Sequence, residues 1–300
     1  MTDTSPALRD DDLLLEPTSG TDDLDGFAVV YGGERIGTVA LQRAPGKAGR
    51  HTGSMRWNFA SGPGAMVASR ALRVAVEHAF TELGWTRVEA RVSSDDPLAL
   101  RAASIAGLRR EGVARTPGDA PDHILLGRVI DDPPVFSREG FVSILNAGLP
   151  RKRVIGQGLL RDTAGRILLC ELTYKREWDL PGGVVEVGES PALGLVRELQ
   201  EELGVTVTIE GLVTMNWLPP WCHWDDACLF VFDLGVVEPD MVEQMALQRT
   251  EIKAVHWCDL DTVRERATLA TIELLEALEA GPLPAYREAP RQPDPVREDG

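Results

Sequence analysis

Apolar residues in this chain follow two spacings, one alternating every second position and one returning every three or four. The alternating pattern comes first. Residues 27–30 are apolar, Gly32 and Gly33 turn the chain, and 36–41 return, which predicts a β-hairpin. Residues 13–15 begin an earlier strand, and 55–59, 87–92 and 124–129 read as later ones. Helical spacing covers 65–83, with Ala71, Val74, Ala75 and Ala79 near one face, and 97–106. Asp131 to Pro134 marks a boundary, and 136–149 predicts a short docking helix. Strands then recur at 154–160 and 167–172, joined by the turn at Asp162-Thr-Ala-Gly165, and at 205–213, 228–234 and 251–257. A helix over 268–278 closes the pattern.

The most fully signalled helix runs from Pro191 to Leu203. Ser190 is an N-cap residue, Pro191 suits the first helical position, and Gly204 suits the left-handed residue that ends a helix. Ala192, Leu195, Val196, Leu199 and Leu203 form its apolar stripe. Glu198, Glu201 and Glu202 share a different face. Like charges at this spacing destabilise a helix, and a divalent cation reverses the sign. Hard oxygen ligands suit Mg²⁺ or Mn²⁺, which also bind substrate phosphates. The plain alternative is a solvated acidic face.

The wider segment adds fixed spacing. Gly183 is followed after five residues by Glu189, then after seven by Arg197-Glu198-Leu199, with Glu201-Glu202 and Gly204-Val205 beyond. This resembles the Nudix box with every fixed position filled. The resemblance implies metal-assisted hydrolysis of a diphosphate by water attack at phosphorus, with a nucleotide-type small molecule as substrate. It implies metal ligation by Glu198, Glu201 and Glu202, with the carbonyl of Gly182 as a further ligand. Glu198, Glu201 or Glu251 orients or deprotonates the water, and Glu243 is a rival to Glu251. Arg197 and Glu189 are implied as a structural salt bridge, between the turn at Gly183 and the helix end at Gly204. The stretch Trp217-Leu-Pro-Pro-Trp221-Cys-His-Trp224 offers three indole faces for stacking on a nucleobase, against the alternative of a packed loop.

The first half carries a looser resemblance, to the GNAT acetyltransferases and especially their amino-terminal acetylating branch. It rests on Ala68-Ser-Arg-Ala-Leu-Arg-Val-Ala-Val-Glu-His-Ala-Phe80, Val88-Glu-Ala-Arg-Val92 and Gly107-Leu-Arg-Arg-Glu-Gly112. The family cradles the acetyl-CoA pyrophosphate in a basic, glycine-rich loop at a helix start. Here that loop reads Pro63-Gly64-Ala65-Met66-Val67-Ala68, and the later Asn-x-x-Ser becomes Asp96-Pro-Leu-Ala99. Pro63 lacks an N–H, and Met66 crowds a phosphate. These departures speak against acetyl-CoA and favour a retained scaffold.

Composition narrows the field. With 47 acidic against 31 basic residues and a formal charge of −16, a general nucleic-acid role is disfavoured. No apolar run is long enough to span a bilayer, and the first residues lack a secretory pattern, so cytoplasm is the default expectation. Cys170 and Cys258 sit in apolar runs and read as buried thiols. Cys222, His223 and Cys228 match no zinc-finger spacing.

The combined expectation is an α/β (α+β) chain. A GNAT-like mixed sheet with helices spans 1–132, a linker 133–150, a Nudix α/β/α sandwich 151–280, and a flexible tail 281–300. The leading function is a Mg²⁺-dependent Nudix pyrophosphohydrolase. The alternatives are an acetyl-CoA-dependent N-acetyltransferase with a Nudix accessory domain, and a non-catalytic nucleotide-binding module.

Overall fold

Strand alternation decides which face of each sheet is buried. The computed structural model describes residues 6–18, 24–44, 51–59, 64–221 and 224–290. Two compact units result, Met1–Pro150 and Arg151–Gly300.

The first unit holds strands β1 (Leu8–Asp10), β2 (Leu13–Pro17), β3 (Leu24–Tyr31), β4 (Glu34–Arg43), β5 (Thr52–Phe59), β6 (Arg87–Ser93), β7 (Arg109–Ala114) and β8 (His123–Val129). Helices α1 (Ala65–Thr81), α2 (Pro97–Ile105) and α3 (Arg138–Gly148) accompany them. The sheet order is β1-β2-β3-β4-β5-β6-β8-β7. Alternate residues such as Leu13, Leu15, Phe27, Val29 and Met55 share one core with Ala71 and Leu72 of α1. β5 and β6 are parallel, paired only from Thr52↔Arg87 to Ser54↔Glu89. β7 was not foreshadowed, because Arg109-Arg-Glu-Gly-Val-Ala114 has no apolar alternation; pairing with β8 holds it. At the start of α1, Gly64 provides no side-chain cap, and its carbonyl accepts from Val67 and Ala68 at 3.0 and 3.2 Å. Met66 stands exposed there, and Pro63 lies outside the described residues.

The second unit holds β9 (Arg153–Asp162), β10 (Ile167–Leu172), β11 (Gly182–Val184), β12 (Gly211–Leu218), β13 (Ala227–Val237), β14 (Ile252–Cys258) and β15 (Tyr286–Glu288). Its helices are α4 (Pro191–Leu203), α5 (Leu260–Arg266) and α6 (Leu269–Glu279). The sheet order is β14-β10-β9-β13-β12-β15, with β11 beside β9. Alternation makes the sheet two-sided. Leu160 and Leu168 pack with Leu195, Leu199 and Leu203 of α4. Leu159 and Leu169 point the other way, to Val263 of α5 and Leu274 and Leu275 of α6. The result is an α/β/α sandwich.

Two expectations need correction. The strand expected at 205–213 begins only at Gly211; the chain leaving α4 runs irregularly while Val205, Val207 and Ile209 cover the α4 core. The segment read as a tail contains β15, held by parallel pairing with β12 and by Ala289 N–H donating to the Trp217 carbonyl at 2.8 Å. Residues 291–300 of that segment lie outside the described residues. Among the described residues, no helix is long and apolar enough to cross a membrane.

Candidate functional site

Helix α4 is fixed at both ends. Ser190 Oγ accepts from Leu193 N–H at 3.3 Å, and Gly204 takes the left-handed conformation at φ 71°. Gly156 lets the helix sit close to β9. A Cβ there would lie 2.8 Å from the Pro191 carbonyl oxygen and 3.2 Å from Leu195 Cβ.

The turn before α4 meets the helix at Arg197. Its guanidinium donates to both oxygens of Glu189 at 3.1 Å and to the Val184 carbonyl at 3.1 Å. Glu189 also accepts from Glu186 N–H. The Arg197 hydrogen bond, with that backbone bond, holds the Glu189 carboxyl below its ordinary range. The same guanidinium reaches Glu198 and Glu201, each at 3.0 Å.

The structure divides the three glutamates. Glu201 is 56% exposed and rests on Arg197. The Glu198 side chain is 16% exposed and lies over Gly183, where an added Cβ would come within 2.4 Å of Glu198 Cδ. Burial pushes the Glu198 carboxyl up, although the Arg197 hydrogen bond opposes this. Glu202 is 7% exposed and lies beside Glu251. Burial, then the charges of Glu198 and Glu251, push its carboxyl from 4.5 to about 8. No three His, Cys, Asp or Glu side chains are gathered in ligating geometry among the described residues. Arg197 supplies positive charge to Glu198 and Glu201, whereas Glu202 is buried away from it.

Backbone pairing brings Glu251 to this place. Ala246 N–H donates to the Leu203 carbonyl and Gln248 N–H to that of Glu202, at 2.9 and 2.8 Å. The segment is thereby tied to the end of α4, and Glu251 follows at the head of β14. Glu243 lies exposed on the 3₁₀ turn Pro239–Gln244. Gly182 pairs with Gln157 of β9 at φ 139°, and a Cβ there would lie 2.1 Å from the Gly156 carbonyl oxygen.

Trp217 lies on β12, and Trp221 and Trp224 belong to the β12–β13 connection. Trp217 Nε1 donates to Asp226 at 3.0 Å, and the Arg153 guanidinium sits 4.7 Å from the ring centre of Trp224, itself 61% exposed. Trp221 and Trp224 exchange backbone hydrogen bonds. Cys222 and His223 lie outside the described residues. Cys170 and Cys258 are buried free thiols.

Three polar residues escaped the sequence reading. Gln157 and Asn216 are buried, and Gln157 Oε1 and Asn216 Oδ1 have no hydrogen-bond donor among the described residues. Their signal was a lone amide inside each apolar strand, at Gly156-Gln157-Gly158 and Met215-Asn216-Trp217. Lys175 donates to Asp179 at 2.7 Å, and Asp179 also accepts from Thr271. Burial works against the Lys175 charge, but Asp179 more than offsets it, and the pKa is raised.

Each unit is similar to known proteins. Residues 151–278 match the NUDIX domain model, and residues 11–109 match the acetyltransferase (GNAT) domain model. A MutT-like protein of Streptomyces ambofaciens is 32% identical over 136 residues, 44% of this chain and 82% of that protein. An 8-oxo-dGTP diphosphatase of Proteus vulgaris is 36% identical over 62 residues, 19% of this chain and 55% of that protein. The solved MutT protein of Methanosarcina mazei Go1 aligns at a TM-score of 0.38 and 24% identity, covering 44% of this chain and 97% of that one. The unbroken box from Gly183 to Val205, the match to the NUDIX domain model and the Streptomyces ambofaciens relative lead to one assignment: through its second unit, the chain belongs to the Nudix hydrolase family.

Proposed function

We propose that the second unit hydrolyses a diphosphate linkage in a nucleotide, using Mg²⁺ or Mn²⁺ at Glu198, Glu202 and Glu251, with Glu201 at the exposed side. The observation that carries this reading is Glu202. A carboxyl that is 7% exposed, faces two other carboxyls and rises to about 8 is costly for stability alone. Its oxygens are hard donors suited to a small divalent cation. Such an ion, when bound, neutralises phosphate charge and lowers the pKa of a water.

The remaining roles belong to the protein's own residues. Arg197 braces the turn through Glu189 and releases Glu198 and Glu201 as positive charge arrives from elsewhere. Gly183 leaves room for Glu198, and Gly182, next to it on β11, lends its carbonyl as a further oxygen donor in this reading. Glu251 accepts a proton from the attacking water, with Glu198 or Glu201 as the competing bases. Lys175 supplies a cation for a phosphate oxygen. Gln157 and Asn216 offer buried amides to the edge of a base, since unpaired buried acceptors seek donors. Trp217, Trp221 and Trp224 provide stacking surface near the end of β12.

The substrate proposed first is an oxidised purine nucleoside triphosphate, because the Proteus vulgaris relative is an 8-oxo-dGTP diphosphatase. Nucleotide sugars, ADP-ribose and dinucleotide polyphosphates complete the panel. The test is a screen of purified full-length protein with Mg²⁺ or Mn²⁺, reading nucleoside monophosphate and phosphate or pyrophosphate release. Metal-dependent turnover of at least one member supports the proposal, and no turnover across the panel rejects it. An acetyltransferase reading rests on the GNAT match over residues 11–109. Saturable acetyl-CoA binding tests it, and the exposed Met66 in the first turn of α1 argues against it.

A further inference from the structure

Residues 173–181 join β10 to β11, and both ends of this connection are tied down. At one end Thr173 N–H donates to the Glu251 carbonyl at 2.9 Å, and Thr173 Oγ1 donates to the Thr250 carbonyl at 2.7 Å. At the other, Asp179 and Cys170 exchange backbone hydrogen bonds at 2.8 and 3.1 Å, and Asp179 Oδ1 accepts from Thr271 Oγ1 at 2.7 Å. The first anchor runs through Glu251 itself, so the start of the connection is fixed relative to the carboxyl cluster.

Tyr174 and Lys175 stand between the anchors. Tyr174 is 70% exposed, and one exposed aromatic is ordinary on a protein surface. Its setting is not ordinary. The charges of Lys175, Glu202, Asp179 and Glu251 all act on its hydroxyl. That hydroxyl nevertheless makes no hydrogen bond among the described residues. Lys175 Nζ donates to Asp179 Oδ2 at 2.7 Å, and an ammonium has three N–H donors. Asp179 is held in turn by Thr271, which fixes where the ammonium sits. Two neighbouring donors therefore stand at the carboxyl cluster with capacity left over.

We infer that Tyr174 is a substrate-contacting residue, whose hydroxyl donates, beside the Lys175 ammonium, to the non-bridging oxygens of the diphosphate. This inference rests on the hydrolase reading and adds a residue which that reading leaves unused. Charge gives the reason. A diphosphate brought up to a group of carboxylates needs hydrogen-bond donors on its own oxygens. A phenol O–H supplies one without a formal charge of its own, and a bond to an ionised acceptor is stronger than one between neutral groups.

The test is calorimetric titration of the full chain, in Mg²⁺ buffer, with methylenediphosphonate, a diphosphate mimic that water does not cleave. Saturable binding is expected, weakened at least about tenfold in Tyr174→Phe. The melting temperature should stay the same, because this hydroxyl bonds nothing in the fold. Nitration by tetranitromethane gives a second readout on the unaltered protein. Of the three tyrosines, Tyr174 should be protected by the bound diphosphonate, while Tyr286, 50% exposed, reacts equally with and without it. No diphosphonate binding, equal affinity in Tyr174→Phe, or equal nitration of Tyr174 overturns its role. Turnover of the substrate panel by the unaltered protein, read separately, decides the hydrolase reading.

Discussion

The buried carboxyl of Glu202, on α4, faces the carboxyl of Glu251, at the head of β14. Burial, and then the charges of Glu198 and Glu251, push the Glu202 carboxyl up to about 8. The sign of the consequence follows. The folded pKa is raised above the ordinary 4.5, so between these values the folded state binds more protons than the unfolded one. Stability from this group is present below pH 4.5 and is lost as pH rises through about 8. Metal-free protein should lose on the order of a few kcal/mol over this window. Melting curves across pH, with and without Mg²⁺, check it: Mg²⁺ or Glu202→Gln should flatten the decline attributable to this group.

Gly183 should resist even the smallest side chain. A methyl group there would fall 2.4 Å from Glu198 Cδ and displace that carboxylate. Gly183→Ala is expected to reduce kcat at least about tenfold while the circular dichroism spectrum stays unchanged, since small misplacements are costly at a reacting site. Retention of full turnover would show that Glu198 does not need its observed position.

Gly204→Ala isolates backbone strain from chemistry. Its φ of 71° and the 2.9 Å approach of an added Cβ to Ala246 both oppose a side chain. The expected cost is about 1–2 kcal/mol in urea denaturation. Turnover per folded molecule should change little.

Arg197 is expected to act as a brace. Its bonds to Glu189 and Val184 join the turn to the helix, and those to Glu198 and Glu201 balance charge without an ion. Arg197→Lys keeps the charge but loses the planar fork. A lower melting temperature and a higher apparent Mg²⁺ requirement should appear together, and an unaltered melting curve would remove the bracing role.

Glu251 and Glu243 give opposite expectations. Glu251→Gln should lower turnover at least about tenfold, because the residue meets Glu202 directly. Glu243→Gln, on the exposed 3₁₀ turn, should leave kcat within about twofold. Steady-state kinetics on the two variants compares them, and reversed effects would transfer the role to Glu243.

Local signals made α4 legible in the sequence. Ser190, Pro191 and Gly204 each act within a few residues of themselves, and the helix bounds follow from them. The two-sided sheet was implied by the resemblance to the Nudix family and was not provable from strand periodicity alone. The meeting of Glu202 with Glu251 was not legible as a contact, because it depends on backbone bonds between residues 246–248 and the end of α4. Nor was the division of the glutamates, which depends on Arg197 reaching along its own helix to two of them. Strand β15 lacked a signal altogether: three residues that are polar or amphipathic become a strand only because β12 offers an edge.

The central claim is that this carboxyl cluster exists to hold a divalent cation. Titration of Mn²⁺ into the protein, followed by the paramagnetic resonance signal of the free ion, tests it most directly. Unaltered protein should remove Mn²⁺ from solution saturably, with affinity falling at least tenfold in Glu202→Gln; equal affinity in the two proteins would contradict the account.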